Sequence, residues 1–288
     1  MGIQANKKNL QQKAAEWVCR NRQTRFCHFI GQAAYLLWRV YENRNFDIST
    51  NGEEWLLRKL SSLKNIRCIF DVGTNVGEWL LTSNKYFPDV PIHAFEISPT
   101  VFPELQKNTA HLKHPVLNGI GLSDQSDELT IHYAEDSNYL TTTYPEHLGE
   151  AFRMPGSQPA GVVKSQRVPV MRGDDYAKKT GITFIDVLKI DVEGMEERVL
   201  RGFEPMFAQR RIRLVQFEYN TTNIVSKFLL RDAYEFFNKL NYCVGKLYPN
   251  YVDFRDYHYR QEDFCGPNMV AVHKDDAELL KLLSSKKA

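Results

Sequence analysis

Ile69-Phe-Asp-Val-Gly-Thr-Asn-Val-Gly77 decides how this chain is read. An apolar run from Ile66 to Phe70, with one Arg and one Cys in it, predicts a buried strand that stops at Asp71. Gly73 and Gly77 follow, and Glu78-Trp79-Leu80-Leu81 then has helix-forming character. A strand that turns through glycines into a helix presents free backbone N–H groups at its mouth and lets a ligand approach the backbone. The spacing G-x-N-x-G lacks a glycine of the G-x-G-x-x-G pyrophosphate cradle. It favours a smaller polar ligand end, such as an amino acid.

Pro91-Ile-His-Ala-Phe95 is a second short strand, and it ends in Glu96, 19 residues after Gly77. At that spacing an acid closing the second strand reaches a ribose diol. A glycine turn with a spaced acid describes a nucleoside cofactor whose tail is not a phosphate, and S-adenosylmethionine fits best. A nicotinamide-dependent oxidoreductase is the rival enzyme, but Leu80 stands where a shifted glycine pattern wants its third glycine. A catalytically silent binding protein of the same fold is the rival from another class. Joint retention of Asp71, Gly73, Gly77, Glu96, Asp191 and Glu193 argues against it.

A hydrophobic fraction of 43% supports a sizeable core, and a net charge of +2 does not suggest a nucleic-acid binder. The five cysteines form no C-x-x-C, so neither a zinc knuckle nor a disulfide framework is expected, and a reducing cytoplasm is the simplest compartment. The first residues lack an apolar core of the kind a secretion signal carries.

Residues 8–45 predict helix throughout, and residues 1–64 carry 11 Lys/Arg against 5 Asp/Glu. A helical cap packed on the main domain is the favoured reading of this front. The rival is a basic amphipathic segment touching an anionic membrane surface. Beyond a short helix at 53–63, strands are expected at 66–71, 91–96, 115–121, 183–190, 212–218 and 268–273. Helices at 77–87, 99–112, 193–209 and 229–240 alternate with them, which predicts a mostly parallel sheet covered on both faces. Residues 127–170 break the rhythm: 129–133 alternate like an exposed strand, and 134–161 read as a long lid-like loop.

Phe184-Ile-Asp-Val-Leu-Lys-Ile190 predicts an apolar strand interrupted by Asp186 and Lys189, with Asp191-Val-Glu-Gly194 at its carboxyl end. That edge of an α/β sheet binds ligands. Equally, Asp191 or Glu193 caps the following helix. Glu218 ends another strand, so Asp71, Asp191 and Glu218 close three strands and point to a shared site.

At this point the chain resembles the FkbM family of S-adenosylmethionine-dependent methyltransferases. The likeness rests on Phe70-Asp-Val-Gly-Thr-Asn-Val-Gly77, Phe95-Glu96, Gly121-Leu-Ser-Asp124, Leu188-Lys-Ile-Asp-Val-Glu-Gly-Met-Glu-Glu197, Val199-Leu-Arg-Gly202 and Pro267-Asn-Met-Val-Ala-Val272. It covers roughly residues 50–273, and the Lys-Ile-Asp-Val-Glu-Gly block is its specific part. Ile97-Ser98 depart from the family, where Pro is common after the acid. The resemblance implies a Rossmann-like class I fold, a seven-stranded, mostly parallel sheet with an antiparallel last strand. Residues 1–50 would be a helical extension and 51–288 the methyltransferase domain. It implies methyl transfer, mostly to hydroxyl oxygens, here of a small-molecule or glycan acceptor, with S-adenosylhomocysteine as product.

By position, Asp71, Gly73, Thr74, Asn75 and Gly77 would hold the methionine end, Glu96 and Ile97 the ribose region, and Ser123 and Asp124 the adenine. Asp191 and Glu193 would face the methionine amino group or the acceptor, with Glu218 on the acceptor side. These three carboxylates suit Mg²⁺, though no resident metal is expected. His147 is a candidate general base, with a solvated loop position the preferred reading. His93 is read as a core residue. Tyr248, Tyr251, Tyr257 and Tyr259 either stack on a sugar or pack a long connection on the sheet.

Overall fold

The computed structural model describes residues 9–134, 137–149, 162–266 and 268–284. The rest of the expected lid, 135–136 and 150–161, and Pro267 lie outside the described residues. The chain divides into two compact units, residues 1–44 and 45–288. The first holds α1 (Leu10–Arg20) and α2 (Arg25–Tyr41), entered through the caps Asn9 and Thr24, whose side chains accept the N–H groups of Gln12 and Cys27. Among the described residues of this unit, α1 has no buried residue and α2 has one, Cys27.

The second unit begins with α3 (Glu53–Ser61), β1 (Ile69–Val72), α4 (Glu78–Tyr86), β2 (Ile92–Phe95), α5 (Phe102–Thr109) and β3 (Pro115–Asn118). Next come β4 (Gly121–Ser123), β5 (Asp127–Ala134), β6 (Ser137–Thr142), β7 (Val163–Arg172), α6 (Gly173–Thr180) and β8 (Ile185–Ile190). The remainder is α7 (Glu196–Gly202), α8 (Glu204–Ala208), β9 (Ile212–Glu218), α9 (Thr222–Ser226), α10 (Leu230–Lys239), β10 (Tyr242–Tyr248), β11 (Tyr251–Phe254), β12 (Asn268–His273) and α11 (Ala277–Leu283).

The main sheet has the order β11-β10-β12-β9-β8-β1-β2-β3. From β3 to β9 the pairings are parallel, and β12 runs antiparallel to both β9 and β10. An antiparallel last strand is therefore present, but the sheet has eight strands rather than seven. The tyrosine-rich connection folds back as β11 on the edge of β10, with Tyr248 and Tyr251 paired in register and stacked.

Strands β1 and β8 are buried along their whole length, as parallel strands covered on both faces must be. Alternate residues serve opposite faces. Ile69, Val187 and Leu214 pack with Leu56, Leu60 and Leu80, on the side of α3, α4 and α11. Phe70, Leu188 and Val215 pack with Val199, Phe203 and Phe237, on the side of α6, α7, α8 and α10.

A second sheet, of order β4-β7-β5-β6, departs most from the sequence reading. The stretch read as a loop from 134 carries β6, and β7 is a ten-residue strand paired along the whole of β5. Polar residues at the exposed positions of β7 hide its alternation.

Candidate active site

Strand order turns at β1, which has β2 on one side and β8 on the other. In an open α/β sheet the crevice lies beyond the carboxyl ends at that point. Here Val72 is followed by the glycine turn and Ile190 by Asp191. Gly73 has φ +83°, and a Cβ on it would lie 1.7 Å from the Asp191 carbonyl oxygen, so only glycine lets the two strand ends meet. Gly77 has φ +97°, and a Cβ there would press on Leu105 of α5 at 2.9 Å.

The free N–H groups expected at this mouth are largely engaged. Those of Gly73 and Thr74 donate to the Phe95 carbonyl, each at 3.0 Å, and that of Gly77 to Thr74. The Asn75 N–H donates to Glu96 at 2.8 Å, and the Ser98 N–H donates to the other Glu96 oxygen at 2.7 Å. Glu96 is buried, and burial raises its pKa against the pull of those two hydrogen bonds. A carboxylate has about four acceptor positions, so two remain for a ligand.

A cleft of about 860 Å³, open mouth included, lies over these groups. Of the residues expected from sequence, Gly73, Asn75, Glu96, Ile97, Asp191 and Glu193 line it. Leu129, Ile131, Val170 and Thr141–Thr143 close it from the second sheet and the segment after β6, which the sequence reading did not assign to a wall.

Asp71, Thr74, Gly77, Ser123 and Asp124, expected at the cofactor, do not line the cleft. Asp71 is fully buried and its carboxylate faces the Lys189 ammonium at 3.4 Å, so it holds a cation of the core rather than a ligand. The Thr74 hydroxyl closes the turn onto the Asp71 carbonyl. Ser123 is fully buried and donates to Asp124, while the Asp124 carbonyl receives Arg172. The cause is that β4 leaves the main sheet to pair with β7, so Gly121 and Leu122 line the cleft in their place.

Lys189 is the residue that sequence reasoning missed. Its ammonium lies 3.3 Å from Asp191 and 3.4 Å from Asp71, above the Trp79 ring at 5.8 Å. Burial works to lower its pKa, but the carboxylates of Asp71, Asp191 and Glu53 outweigh it and hold the lysine charged. A lysine in a mostly apolar strand was the available signal.

Neither Asp191 nor Glu193 caps α7, which has no side-chain cap. Glu196 instead accepts the N–H groups of Val192 and Gly194, at 3.1 and 3.3 Å, and fixes the loop between strand and helix. Glu193 occupies the left-handed region at φ +51°, a rare state for a residue with a side chain. Burial and the nearby Asp191 and Glu196 carboxylates push its carboxyl up to about 8. Burial and the same acids raise Glu218, at the end of β9, well above the ordinary value. Carboxylate oxygens of Asp191, Glu193 and Glu218 lie within 4.8 Å of one another, close enough to share a cation.

His147 does not sit in a solvated loop. It lies in a single turn, Pro145–Leu148, with its side chain 9% exposed and Nε2 4.0 Å from Glu193. Burial lowers its pKa, so the ring is neutral near pH 7. The Thr142 hydroxyl donates to the Glu193 carbonyl at 3.0 Å and ties this segment to the acidic loop. His93 is a core residue as expected, buried against the Tyr176 hydroxyl at 2.9 Å. Of the tyrosines, Tyr257 donates to Glu262, which receives the N–H groups of Leu230 and Arg231 at the start of α10. That is packing of a connection, and none of Tyr248, Tyr251, Tyr257 and Tyr259 lines the cleft.

A glycine turn, a buried acid after the second strand and an acidic loop after the fourth parallel strand define a nucleoside-binding α/β enzyme. Residues 71–244, more than half of the chain, match the model of the methyltransferase FkbM domain, and the chain belongs to that family. It is an S-adenosylmethionine-dependent methyltransferase. One curated relative is the 31-O-demethyl-FK506 methyltransferase FkbM of Streptomyces tacrolimicus. It is 27% identical over 193 residues, which are 60% of this chain and 70% of the relative. Among solved structures, precorrin-6y C5,15-methyltransferase from Geobacter metallireducens is 12% identical, with a TM-score of 0.38 over 75% of this chain and 85% of that one. The plantazolicin methyltransferase BpumL, in complex with a monoazolic desmethylPZN analog and SAH, is 10% identical, with a TM-score of 0.38 over 92% of this chain and 99% of that one.

Proposed function

We propose that this enzyme methylates a hydroxyl oxygen of a sugar, glycan or natural product, with Glu193 as the group that takes the hydroxyl proton. The observation that carries the proposal is Glu193 itself. It lines the cleft with Glu96 and Gly73, and its carboxyl is poised near 8, where a general base works at mildly alkaline pH. The name of the Streptomyces relative, an O-methyltransferase, supports the same reading.

The donor set suits the cofactor. A buried carboxylate with acceptor capacity, Glu96, stands beside an apolar wall of Ile97, Val101 and Leu122. Glu96 would hold the ribose, that wall the adenine, and Gly73, Asn75 and Asp191 the methionine end. The bound cofactor supplies a methyl group on a sulfonium. Asp191 keeps its orientation through Lys189, and Glu193 is held by Thr142 and backed by His147. Walls from the second sheet keep water away from the reacting atoms. We place no metal in the reaction, because Asp191 already pairs with the Lys189 ammonium.

Labelled transfer tests the reading. Enzyme incubated with methyl-tritiated S-adenosylmethionine and a panel of hydroxyl-bearing glycans and polyketides should give an alkali-stable methyl ether, and exhaustive chelation should leave the rate intact. Label recovered only as an alkali-labile ester, or on nitrogen, overturns hydroxyl transfer. Activity lost to chelation and restored by Mg²⁺ would instead give Asp191, Glu193 and Glu218 to a metal.

A further inference from the structure

We infer that the helical unit of residues 9–44 seats this enzyme on an anionic lipid surface. Helix α2 carries a broad face of exposed apolar residues. At about 100° per residue, Leu36, Phe29, Val40, Phe26, Leu37 and Ile30 lie around roughly a third of the helix with the half-buried Ala33 among them, and all six are exposed. Phe29 and Leu37 are both 69% exposed. Arg25, Gln32, Arg39 and His28 form a polar strip that flanks this face on the Leu36 side, and Cys27, Gly31, Tyr35 and Trp38 lie on the rest of the circumference. Scattered apolar residues on a surface are ordinary, but a contiguous face of this kind marks an interaction site. Helix α1 extends it, because the Trp17 ring meets the Phe26 ring edge-on at 6.3 Å.

Charge and side-chain type select the occupant. Residues 9–44 contain six Lys/Arg and two Asp/Glu. Lys13, Arg20, Arg22 and Arg25 are exposed, whereas Glu42 is buried and Glu16 half-buried. A second copy of this unit would bring like charges together, while an anionic headgroup layer complements them. Trp17, Tyr35, Trp38 and Tyr41 are exposed as well, and these amphipathic rings favour the boundary between headgroups and acyl chains. The helix lies in that boundary rather than crossing it. Its 17 residues reach about 25 Å, short of the ~30 Å hydrocarbon core. Among the described residues no helix is long and apolar enough to cross a membrane. The inference does not depend on which acceptor receives the methyl group.

Vesicle sedimentation of the full chain reads it directly. The protein should pellet with phosphatidylcholine vesicles containing about one-third phosphatidylglycerol, stay in solution with phosphatidylcholine alone, and be released by salt. Phe29→Ser with Leu37→Ser should lower partition at least about tenfold, and Arg22→Gln or Arg25→Gln should lower it about fivefold each. S-adenosylhomocysteine affinity by calorimetry should stay unchanged in all of them, which certifies the fold of the catalytic unit. Should the apolar double variant fail to express, the arginine variants carry the test. A full chain that binds S-adenosylhomocysteine yet ignores anionic vesicles overturns the inference. A dimer in sedimentation velocity that Phe29→Ser with Leu37→Ser converts to monomer, with no vesicle binding by either, assigns the face to a second copy and overturns it too.

Discussion

Glu193 combines three properties that seldom coincide in a structural residue. Its backbone is left-handed, its side chain lines the cleft, and its carboxyl is pushed up to about 8 by burial and by Asp191 and Glu196. Backbone strain of about 1–3 kcal/mol persists only where surroundings hold it, and here Thr142 and Glu196 hold the loop on either side. A base must be unprotonated to act, so kcat/KM should rise about tenfold per pH unit below 8 and level off above it. Glu193→Gln should abolish that inflection and lower kcat/KM by about 10²–10⁴. An identical pH profile in wild type and variant would take the base role away from Glu193.

Between elements, the closure of the cleft depends on the segment that follows β6. The Thr142 hydroxyl bridges it to the Glu193 carbonyl, and the Tyr144 N–H donates back to the same hydroxyl at 3.1 Å. A Cβ on Gly194 would touch the Tyr144 ring at 3.0 Å, so segment and loop are in contact. Thr142→Val keeps the shape and deletes both bonds, about 1 kcal/mol each. Amide exchange in residues 141–147 should quicken in that variant, and turnover should drop more than S-adenosylhomocysteine affinity does. Unaltered exchange and turnover would show the bridge to be incidental. A second variant, Glu96→Gln, belongs to the junction of β2 with the glycine turn. It should weaken S-adenosylhomocysteine binding by about 1.5–3 kcal/mol in calorimetry while leaving vesicle binding alone.

Across the whole molecule, buried acids make stability depend on pH in an unusual direction. Burial first, and neighbouring carboxylates second, push Glu193 up to about 8 and Glu218 well above the ordinary 4.5; Glu196 reaches about 7, chiefly through burial. Between pH 4.5 and these values the folded state keeps protons that the unfolded chain has lost. Stability must therefore fall as pH rises through that window. Denaturant midpoints should decline from about pH 5 to pH 8, by about 1–3 kcal/mol for each such carboxyl. Glu196→Gln keeps an acceptor for Val192 and Gly194 and should flatten the decline near pH 7. A midpoint that instead climbs over that range would mean the acids are ionised and compensated in the fold.

The amino-acid sequence by itself determined the parallel part of the sheet and the wall of the cleft formed by its strand ends. Those features are local: a buried parallel strand is a continuous apolar run, a turn at positive φ needs glycine, and an acid closing a strand keeps its place. Gly73, Asn75, Glu96, Asp191 and Glu193 were readable for that reason. The tertiary structure alone decided which acids line the cleft and which lie in the core. Asp71 and Asp191 each read as closing a strand, but only Asp191 follows one; Asp71 lies inside β1, in register with Lys189 of β8, which holds it in the core. It also decided the roof of the cleft, since β7 reaches back to β4 and β5 through pairings that no periodicity in its polar residues announces. Likewise an apolar stripe on α2 has the same pattern whether it is covered or not. The exposure of Phe29 and Leu37 comes from the structure, because burial is a property of neighbours and a sequence does not list them.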